Sequence, residues 1–383
     1  MAFAVGAIVA NLYYVQPLLP DIAADLRVTP SVVGSSVTVT QLGYATGLAL
    51  LVPLGDLVAN RRLVVSMLVV AAAALGLTAL SPGPAVLLVL FAVVGVSSTA
   101  INVLIQLAAT LAHEGERGRV VGTLMTGLFL GILLARTVSG ALGDVAGWRV
   151  VYGFAAVLVA ALAVALRLRL PNLPARGGTT YPKLLGSVVT IVRTERFMRR
   201  RMAFGALGFA GFQLLWTSLP FLLSGEPYHY SSAAIGLFGL VGAAGVFCAQ
   251  VAGRLLDKGL AHQVTGVLVL MLGVAWLVIG TGGEYLVPLL IGIILLDLGV
   301  QGLHVLNQTR IYVYPIEIRS RVTTAYMTSY FAGGAVGAAL AVVLYGQFGW
   351  LGVCVAGGVL TCLAAVLWLT DRAITPTWME DSP

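Results

Sequence analysis

A stripe of polar side chains interrupts the apolar stretch 285–309. Four of its residues follow one another at spacings of four, three and four, and a fifth lies beside them: Asp297, Gln301, His304, Gln308 and Asn307. In a helix these spacings place the side chains on one face. A carboxyl group there could exchange a proton or a cation, and the amides and the imidazole could bind a polar substrate. The alternative is a buried hydrogen-bond network that only holds helices together.

The composition of the chain indicates what surrounds this stripe. Of the 383 residues, 59% are hydrophobic and only 10% are charged, and the mean hydropathy is +0.98. These values are typical of a membrane protein, and the long unbroken apolar runs favour helices that each need about 20 residues to cross the hydrocarbon core. Charges, prolines and glycines mark the ends of twelve predicted spans: 4–24, 31–54, 63–82, 85–113, 120–146, 150–170, 202–224, 231–256, 263–281, 285–309, 320–346 and 350–370.

Two charged side chains are predicted to lie deep in these spans, and they are the only ones. Arg136 in span 5 and Asp297 in span 10 are both about 15 to 18 Å from the outer ends of their helices at about 1.5 Å per residue. We expect Asp297 to be the proton- or cation-coupling site. Arg136 either neutralises it or binds an anionic group of the substrate. A static ion pair between the two is the alternative.

The two halves of the chain repeat each other at a fixed offset. Adding 202 to ten positions reproduces the residue type: Gln106, Arg117, Arg119, Val120, Met125, Thr126, Phe129, Gly131, Gly147 and Trp148 map onto Gln308, Arg319, Arg321, Val322, Met327, Thr328, Phe331, Gly333, Gly349 and Trp350. Duplicated multi-span halves are typical of alternating-access transporters. We therefore predict an all-α membrane protein with two pseudo-symmetric six-helix bundles, 1–170 and 202–370.

The basic residues predict the orientation of these bundles. Of the 22 lysines and arginines, only Arg27, Arg149 and the intramembrane Arg136 lie away from one set of loops. That set of loops should be cytoplasmic, together with both termini, in a bacterial inner membrane. The same side then holds the linker 171–201, which contains an amphipathic stretch on the membrane surface, and the tail 371–383. Anionic lipid explains the net charge of +7, so no nucleic-acid partner is expected.

Loop motifs resemble those of a known family. Between spans 2 and 3 the chain reads Asp56-Leu-Val-Ala-Asn-Arg61-Arg62, and the second half has Gly253-Arg-Leu-Leu-Asp257-Lys258. Both are similar to the G-x-x-x-D-(R/K)-x-G-x-(R/K)-(R/K) loop of the major facilitator superfamily, and the chain resembles its bacterial drug:proton antiporter branch. It departs from that branch in span 4, where Phe91 replaces an arginine, and in span 5, where Ala135-Arg136 replaces Gly-Pro.

The resemblance implies that helices 1, 4, 7 and 10 surround a central pathway. At the offset of 202, Asn11 and Tyr14 correspond to Gln213 and Trp216, so that equivalent helices carry polar positions. Residues of spans 2 and 11 are added as further candidates. The predicted substrate-binding set is Asn11, Tyr14, Gln41, Tyr44, Asn102, Gln106, Arg136, Gln213, Trp216, Gln301, His304, Asn307, Tyr326 and Tyr330.

The loop motifs and the glycines are the predicted moving parts. Charges in the loops can pair in one state and separate in the other, so we predict a cytoplasmic gate at Asp56, Arg61, Arg62, Gly253, Asp257 and Lys258. Simple topology signalling is the alternative. Small-residue faces allow close helix approach, and they occur at Gly127, Gly131, Gly236, Gly239, Gly242, Gly245, Gly333 and Gly337.

These patterns predict a secondary active transporter that works by alternating access. We expect a monomer that exports a small organic or amphipathic compound in exchange for protons. A proton-linked importer or facilitator of a small metabolite, and a membrane sensor that does not transport, are the alternatives. The three cysteines have no metal-ligand spacing and His304 has no second ligand nearby, so we predict no metal, no cofactor and no enzymatic activity.

Overall fold

The computed structural model describes residues 1–113, 116–171, 180–242 and 260–371. Every regular element in these ranges is helical, as predicted. In the first half they are α1 (Ala2–Ala10), α2 (Val15–Leu26), α3 (Pro30–Leu50), a short 3₁₀ helix (Val52–Asp56), α4 (Asn60–Ala79), α5 (Pro84–Ser98), α6 (Ala100–Leu111), α7 (Arg117–Ala146) and α8 (Trp148–Arg169). They continue with α9 (Tyr181–Thr194), α10 (Arg196–Ser224), α11 (Ser232–Val241), α12 (Ala261–Thr281), α13 (Leu286–Ile311) and α14 (Ile316–Leu369).

These helices account for the predicted membrane spans. Ten stretches of the described chain are long and apolar enough to cross a bilayer, and α11 is a shorter apolar helix. Span 1 comprises α1 and α2, and span 4 comprises α5 and α6. Spans 11 and 12 are the two arms of α14, which are separated by a non-helical residue, Gly349. Of span 8 only α11 lies within the described residues. The architecture is therefore that of an all-α, multi-pass membrane protein.

Two glycines show the internal repeat in the backbone. Gly147 and Gly349, which are 202 positions apart, have φ values of +83° and +60° and are the positive-φ glycines of the described residues. Side chains rarely adopt this conformation, whereas glycine does so without strain. Each glycine ends one helical arm and precedes a tryptophan that begins the next. The repeat therefore preserves a turn that only glycine forms readily.

The chain divides into two compact units. Unit 1 contains Met1–Lys183 and Leu223–Leu240, and unit 2 contains Leu184–Leu222 and Val241–Pro383. The predicted bundle 202–370 is thus divided inside α10, because the end of that helix and α11 pack with the first half of the chain. The predicted linker contributes α9, whose Tyr181 hydroxyl donates a hydrogen bond to the Leu50 carbonyl oxygen over 2.8 Å.

Close helix packing occurs at corresponding places in each unit. A Cβ atom on Gly131 of α7 would lie 2.2 Å from the carbonyl oxygen of Gly6, and one on Gly333 of α14 would lie 2.3 Å from that of Ala206. Backbones can approach this closely only where no side chain intervenes. The small-residue faces predicted from these glycines are therefore helix contacts within each unit.

The same contacts revise the repeat offset for the first span. Gly131 and Gly333 differ by 202, whereas their partners Gly6 and Ala206 differ by 200. Pro20 and Pro220, each inside its helix, also differ by 200. The predicted equivalences of Asn11 with Gln213 and of Tyr14 with Trp216 are thus wrong by two residues. The packing makes Trp216 the counterpart of Gln16, and Gln213 the counterpart of Tyr13.

Candidate functional site

The first span is interrupted where the predicted binding residues lie. Between α1 and α2 the backbone makes i to i−3 hydrogen bonds, such as Tyr13 N–H to the Ala10 oxygen at 2.9 Å and Gln16 N–H to the Tyr13 oxygen at 3.3 Å. Pro17 has no N–H to donate to the Tyr13 oxygen, which explains the tighter turn. Interrupted helices in transporters expose backbone and side-chain polar groups to a site in the membrane.

The second interruption, between α5 and α6, follows a run of hydroxyl side chains. Ser97, Ser98 and Thr99 each donate a side-chain hydrogen bond to a carbonyl oxygen three or four residues earlier, at 2.7 to 2.8 Å. Such bonds compete with the helical ladder and bend helices. The bend precedes Asn102, a predicted site residue.

Arg136 lies in a polar cluster of unit 1, which we call the arginine cluster: Arg136, Gln16 and Tyr13. The Arg136 side chain is buried, and its Nε donates to Gln16 Oε1 over 2.5 Å. Its guanidinium carbon lies 4.9 Å from the centroid of the Tyr13 ring. Both contacts stabilise a buried cation. Gln16 and Tyr13 were not among the predicted site residues. Their spacing of three places them on one helical face, but only the structure shows that this face meets Arg136.

Two other predicted residues of unit 1 meet each other. Asn102 Nδ2 donates to the Tyr44 hydroxyl over 2.9 Å. The contact is possible because α3 and α5 pack through glycines: a Cβ on Gly43 would lie 2.3 Å from the Ala92 oxygen, and one on Gly95 would lie 2.2 Å from the Thr40 oxygen. Gln106, one turn further along α6, is exposed and lies apart from this pair.

Three predicted carboxamides are buried without hydrogen-bond partners in the described part of the chain. Both polar atoms of Asn11 and Gln41 in unit 1, and of Gln213 in unit 2, are in this position. An unsatisfied buried polar group costs about 1 to 3 kcal/mol. Water or a polar substrate would remove that cost, so these side chains are available for binding. Tyr14 is buried nearby in the sequence.

Asp297 is bound by a tryptophan of the same unit. Trp216 Nε1 on α10 donates to Asp297 Oδ1 on α13 over 3.2 Å, and both side chains are buried. We call this pair the aspartate cluster. The indole N–H is a donor only, so Asp297 Oδ1 is the acceptor of this bond. Both residues belong to the predicted site, but their pairing was not predicted.

The rest of the polar stripe on α13 faces tyrosines of α14. His304 Nδ1 lies 3.1 Å from the Tyr326 hydroxyl, and the His304 ring lies 4.4 Å from the Tyr330 ring. Tyr330 in turn stacks on Phe209 at 4.1 Å. Gln301, three residues before His304, is half-buried. Histidine and tyrosine therefore form an aromatic, hydrogen-bonding surface along the stripe.

Two further charged side chains are buried, at the ends of helices. Arg201 and Asp371 in unit 2 are buried and form an ion pair, in addition to Arg136 and Asp297 within the spans. Arg201 follows Arg199 and Arg200, and all three lie in the predicted cytoplasmic linker 171–201. In the structure α10 begins at Arg196, and Arg201 therefore lies one turn inside a packed helix.

The predicted cytoplasmic gate lies only partly within the described residues. Gly253, Asp257 and Lys258 lie outside them, as does the side chain of Asp56. Arg61 Nη1 donates to the Leu170 carbonyl oxygen at the end of α8 over 3.3 Å, and Arg62 is exposed. The gating roles remain predictions.

A second contact of Arg136 is made by α11, which packs against its backbone. A Cβ on Gly236 of α11 would lie 2.5 Å from the Arg136 carbonyl oxygen, and one on Gly239 would lie 2.9 Å from Arg136 Cβ. At the start of α11, Ser232 Oγ donates to Asp21 Oδ2 over 2.5 Å. We call this contact the α11 clasp. It joins two glycines of the predicted span 8 face to the helix that carries Arg136.

No group of three or more metal-ligating side chains occurs in the part of the chain that the structure describes. The buried polar groups at the predicted site residues are one arginine with an amide and a tyrosine, one aspartate with an indole, and separate carboxamides. Such groups have the chemistry to hydrogen-bond a polar or charged ligand, and they do not pair a nucleophile with an adjacent base.

Comparisons with known proteins identify the family of this chain. The family model of the Major Facilitator Superfamily matches residues 1–312. The transporter YgaY of Escherichia coli O157:H7 is 46% identical over 368 residues, which cover 96% of this chain and 93% of that protein. The chloramphenicol resistance protein of Streptomyces lividans is 28% identical over 280 residues, which cover 72% of this chain and 70% of that protein.

A solved structure gives the same result for the fold. The crystal structure of a peptide transporter in complex with alafosfalin matches at a TM-score of 0.77 and 16% identity, covering 97% of this chain and 94% of that chain. The chain therefore belongs to the Major Facilitator Superfamily and is a multi-pass membrane transporter, not an enzyme.

Proposed function

We propose that the protein exports a small organic or amphipathic compound in exchange for protons, by alternating access. The observation that carries the proposal is the buried Asp297 carboxylate held by Trp216. A carboxyl group buried in a membrane protein is costly when ionised, so its charge responds to the ligand and to the pH of the side to which it opens. Similarity to a chloramphenicol resistance protein supports export and the drug:proton antiporter branch.

The arginine cluster is the proposed second element of the mechanism. Arg136 remains charged at all relevant pH values, and Gln16 and Tyr13 hold it in one orientation. It provides a fixed positive field for an anionic or polar group of the substrate. Asn11, Gln41 and Gln213 supply donors and acceptors for uncharged groups.

The α11 clasp is the proposed gate of alternating access on the side opposite the basic loops. Its glycine contacts with α7 are closer than any side chain permits, so a larger residue at either position would oppose closure. Opening separates α11 from the Arg136 backbone. The predicted loop charges would close the other side.

Proteoliposomes test the proposal directly. Full-length protein is reconstituted with a pH-sensitive dye inside, and a panel of compounds that includes chloramphenicol is applied with and without a proton uncoupler. We expect compound and protons to move in opposite directions, and Asp297→Asn to abolish the proton flux. Compound and protons moving in the same direction would show an importer instead. Unchanged, pH-dependent transport by Asp297→Asn would contradict the coupling role.

A further inference from the structure

Arg201 is a fully buried arginine in the second turn of α10. Its guanidinium carbon lies 5.2 Å from the centroid of the Phe197 ring and 4.9 Å from that of Phe204. Aromatic faces stabilise a cation, but a guanidinium out of water also needs an anion and hydrogen-bond acceptors. The positions of these partners indicate what Arg201 does.

The anion is Asp371, at the far end of α14. Its Oδ2 atom forms ion pairs with Arg201 and, at 3.3 Å, with Arg310 at the end of α13. One carboxylate thus serves two guanidinium groups, and it joins the ends of α10, α13 and α14. In the first half of the chain the corresponding positions, at offsets of 200 and 202, hold Met1 and Arg169, which cannot form this pair.

The second partner is a residue of the polar stripe. Arg201 Nη1 donates to Asn307 Oδ1 over 3.3 Å, and Asn307 Nδ2 donates to the Leu303 carbonyl oxygen over 2.9 Å. A carboxamide has an acceptor end and a donor end of nearly equal shape, so it can rotate by half a turn unless each end has a matching partner. Arg201, which only donates, therefore determines which way the Asn307 side chain points.

Tyr326 connects the Asn307 side chain to His304. The Asn307 side chain lies beside the Tyr326 hydroxyl, close enough to interact with it, and the same hydroxyl lies 3.1 Å from His304 Nδ1. Backbone packing places the phenol: a Cβ on Gly205, one turn after Arg201, would lie 2.8 Å from Tyr326 Cε2. A hydroxyl has one proton to donate, so a change at Asn307 changes what Tyr326 offers to His304.

We propose that Arg201 is a positioning residue for the polar stripe of α13. It bridges Asp371 to Asn307 and thereby sets the hydrogen-bond direction through Tyr326 to His304. That the stripe binds a substrate rests on the proposed function. That Arg201 positions its side chains is a separate claim, and it can be measured without a substrate.

The reporter is His304 itself. The chain has only four histidines, so nitrogen-15 histidine labelling of the full-length protein in detergent gives few imidazole signals. Each ring gives a pair of nitrogen signals, and the pair that disappears in His304→Gln belongs to His304. Tyr326→Phe removes the hydroxyl and defines the shift that a lost hydrogen bond produces. Arg201→Lys keeps the charge, but its single ammonium group cannot reach both Asp371 and Asn307.

Arg200→Lys is the matched control. Arg200 is the neighbouring residue on α10, and it also ties that helix to the end of α14, through the Leu367 carbonyl oxygen and Thr370 Oγ1 at 3.1 and 2.8 Å. It does not form the bridge to Asn307. We expect Arg201→Lys to move the His304 signals most of the way toward those of Tyr326→Phe, and Arg200→Lys to leave them in place.

A second variant tests the inference even if Arg201→Lys does not fold. Asn307→Ala breaks the bridge without touching the Arg201–Asp371 pair, and it should shift the His304 signals in the same direction. Unmoved His304 signals in either folded variant, with a clear shift in Tyr326→Phe, would overturn the inference. An equal shift in Arg200→Lys would show that Arg201 merely ties helix ends together. Neither result depends on whether any compound is transported, so the proposed function is tested separately.

Discussion

The arginine cluster and the aspartate cluster use the same place on two related helices for opposite charges. Gln16 and Trp216 differ by 200 positions, the offset that the packing of α1 and α10 defines. Gln16 accepts a hydrogen bond from a buried cation, and Trp216 donates one to a buried anion. The duplicated scaffold therefore kept the position and inverted the polarity of the hydrogen bond.

The two units also differ in how rigidly they present these groups. In unit 1 both spans 1 and 4 are interrupted, next to Tyr13 and to Asn102, whereas their counterparts α10 and α13 run without a break. Unit 2 adds the Arg201–Asp371 pair, which unit 1 lacks. Unit 1 thus offers adaptable backbone beside a cation, while unit 2 holds an anion on continuous helices.

The largest loss of stability is expected from removing the Asp371 carboxylate, whose buried ion pair with Arg201 has no counterpart in unit 1. Asp371→Asn leaves Arg201 and Arg310 without their shared carboxylate, and breaking a buried ion pair costs about 3 to 5 kcal/mol. Thermal unfolding in detergent measures the loss. Asp25→Asn is the matched control, because its pair with Arg149 in unit 1 is 41–43% exposed and should contribute only about 0 to 1 kcal/mol. Equal losses would remove the distinction between the units.

A methyl group at the α11 clasp should have the next largest effect. In Gly236→Ala the new Cβ would lie 2.5 Å from a backbone oxygen, and overpacking of this kind costs about 1 to 3 kcal/mol. The open state is then populated more, and alkylation of a Thr137→Cys reporter on α7 should accelerate. Gly153→Ala, which has no atom within 4 Å of its Cβ, should leave that rate unchanged. Slower alkylation in Gly236→Ala would contradict the gate.

The inverted polarity of the two clusters predicts a matched pair of transport defects. Gln16→Leu and Trp216→Phe each remove one hydrogen bond to a buried charged group, worth about 1.5 to 3 kcal/mol. We expect transport of an identified compound to fall about tenfold or more in each variant. Gln263→Leu, at an exposed position of α12 outside the predicted binding set, is the control. If only Trp216→Phe impaired transport, the arginine cluster would be structural.

The smallest effect concerns a loop contact of unit 2. The Tyr314 hydroxyl donates to Glu195 over 3.0 Å, and burial, followed by the Glu195 charge, raises the pKa of Tyr314. Since the folded-state pKa lies above the unfolded value of about 10, this contribution is complete below that pH and is lost as the pH rises through the folded-state pKa. Tyr314→Phe should therefore cost about 0.5 to 1.5 kcal/mol, equally at pH 6 and pH 9. A cost that already falls between these values would contradict the assignment.

Sequence reasoning reached the fold because membrane helices leave strong local signals. Apolar length predicted the spans, the spacing of polar residues predicted the stripe on α13, and the offset of 202 predicted the equivalence of Gly147 and Gly349. It failed where the role of a residue depends on the side chains that pack against it. Arg201 resembled one more basic loop residue, and Gln16 resembled an interruption of span 1, since neither pattern contains the partner that buries or binds the side chain.

The amino-acid sequence by itself determined that this chain crosses a membrane as two related sets of helices with two deep charges, because hydrophobicity, helical period and duplication are properties of the chain alone. Only the tertiary structure decided that Gln16 binds Arg136, that Trp216 binds Asp297, that α11 packs on the helix of Arg136 and that Asp371 joins Arg201. The physical reason is that a buried charge takes its partner from whatever helix packs against it, and that contact spans up to 170 residues of sequence.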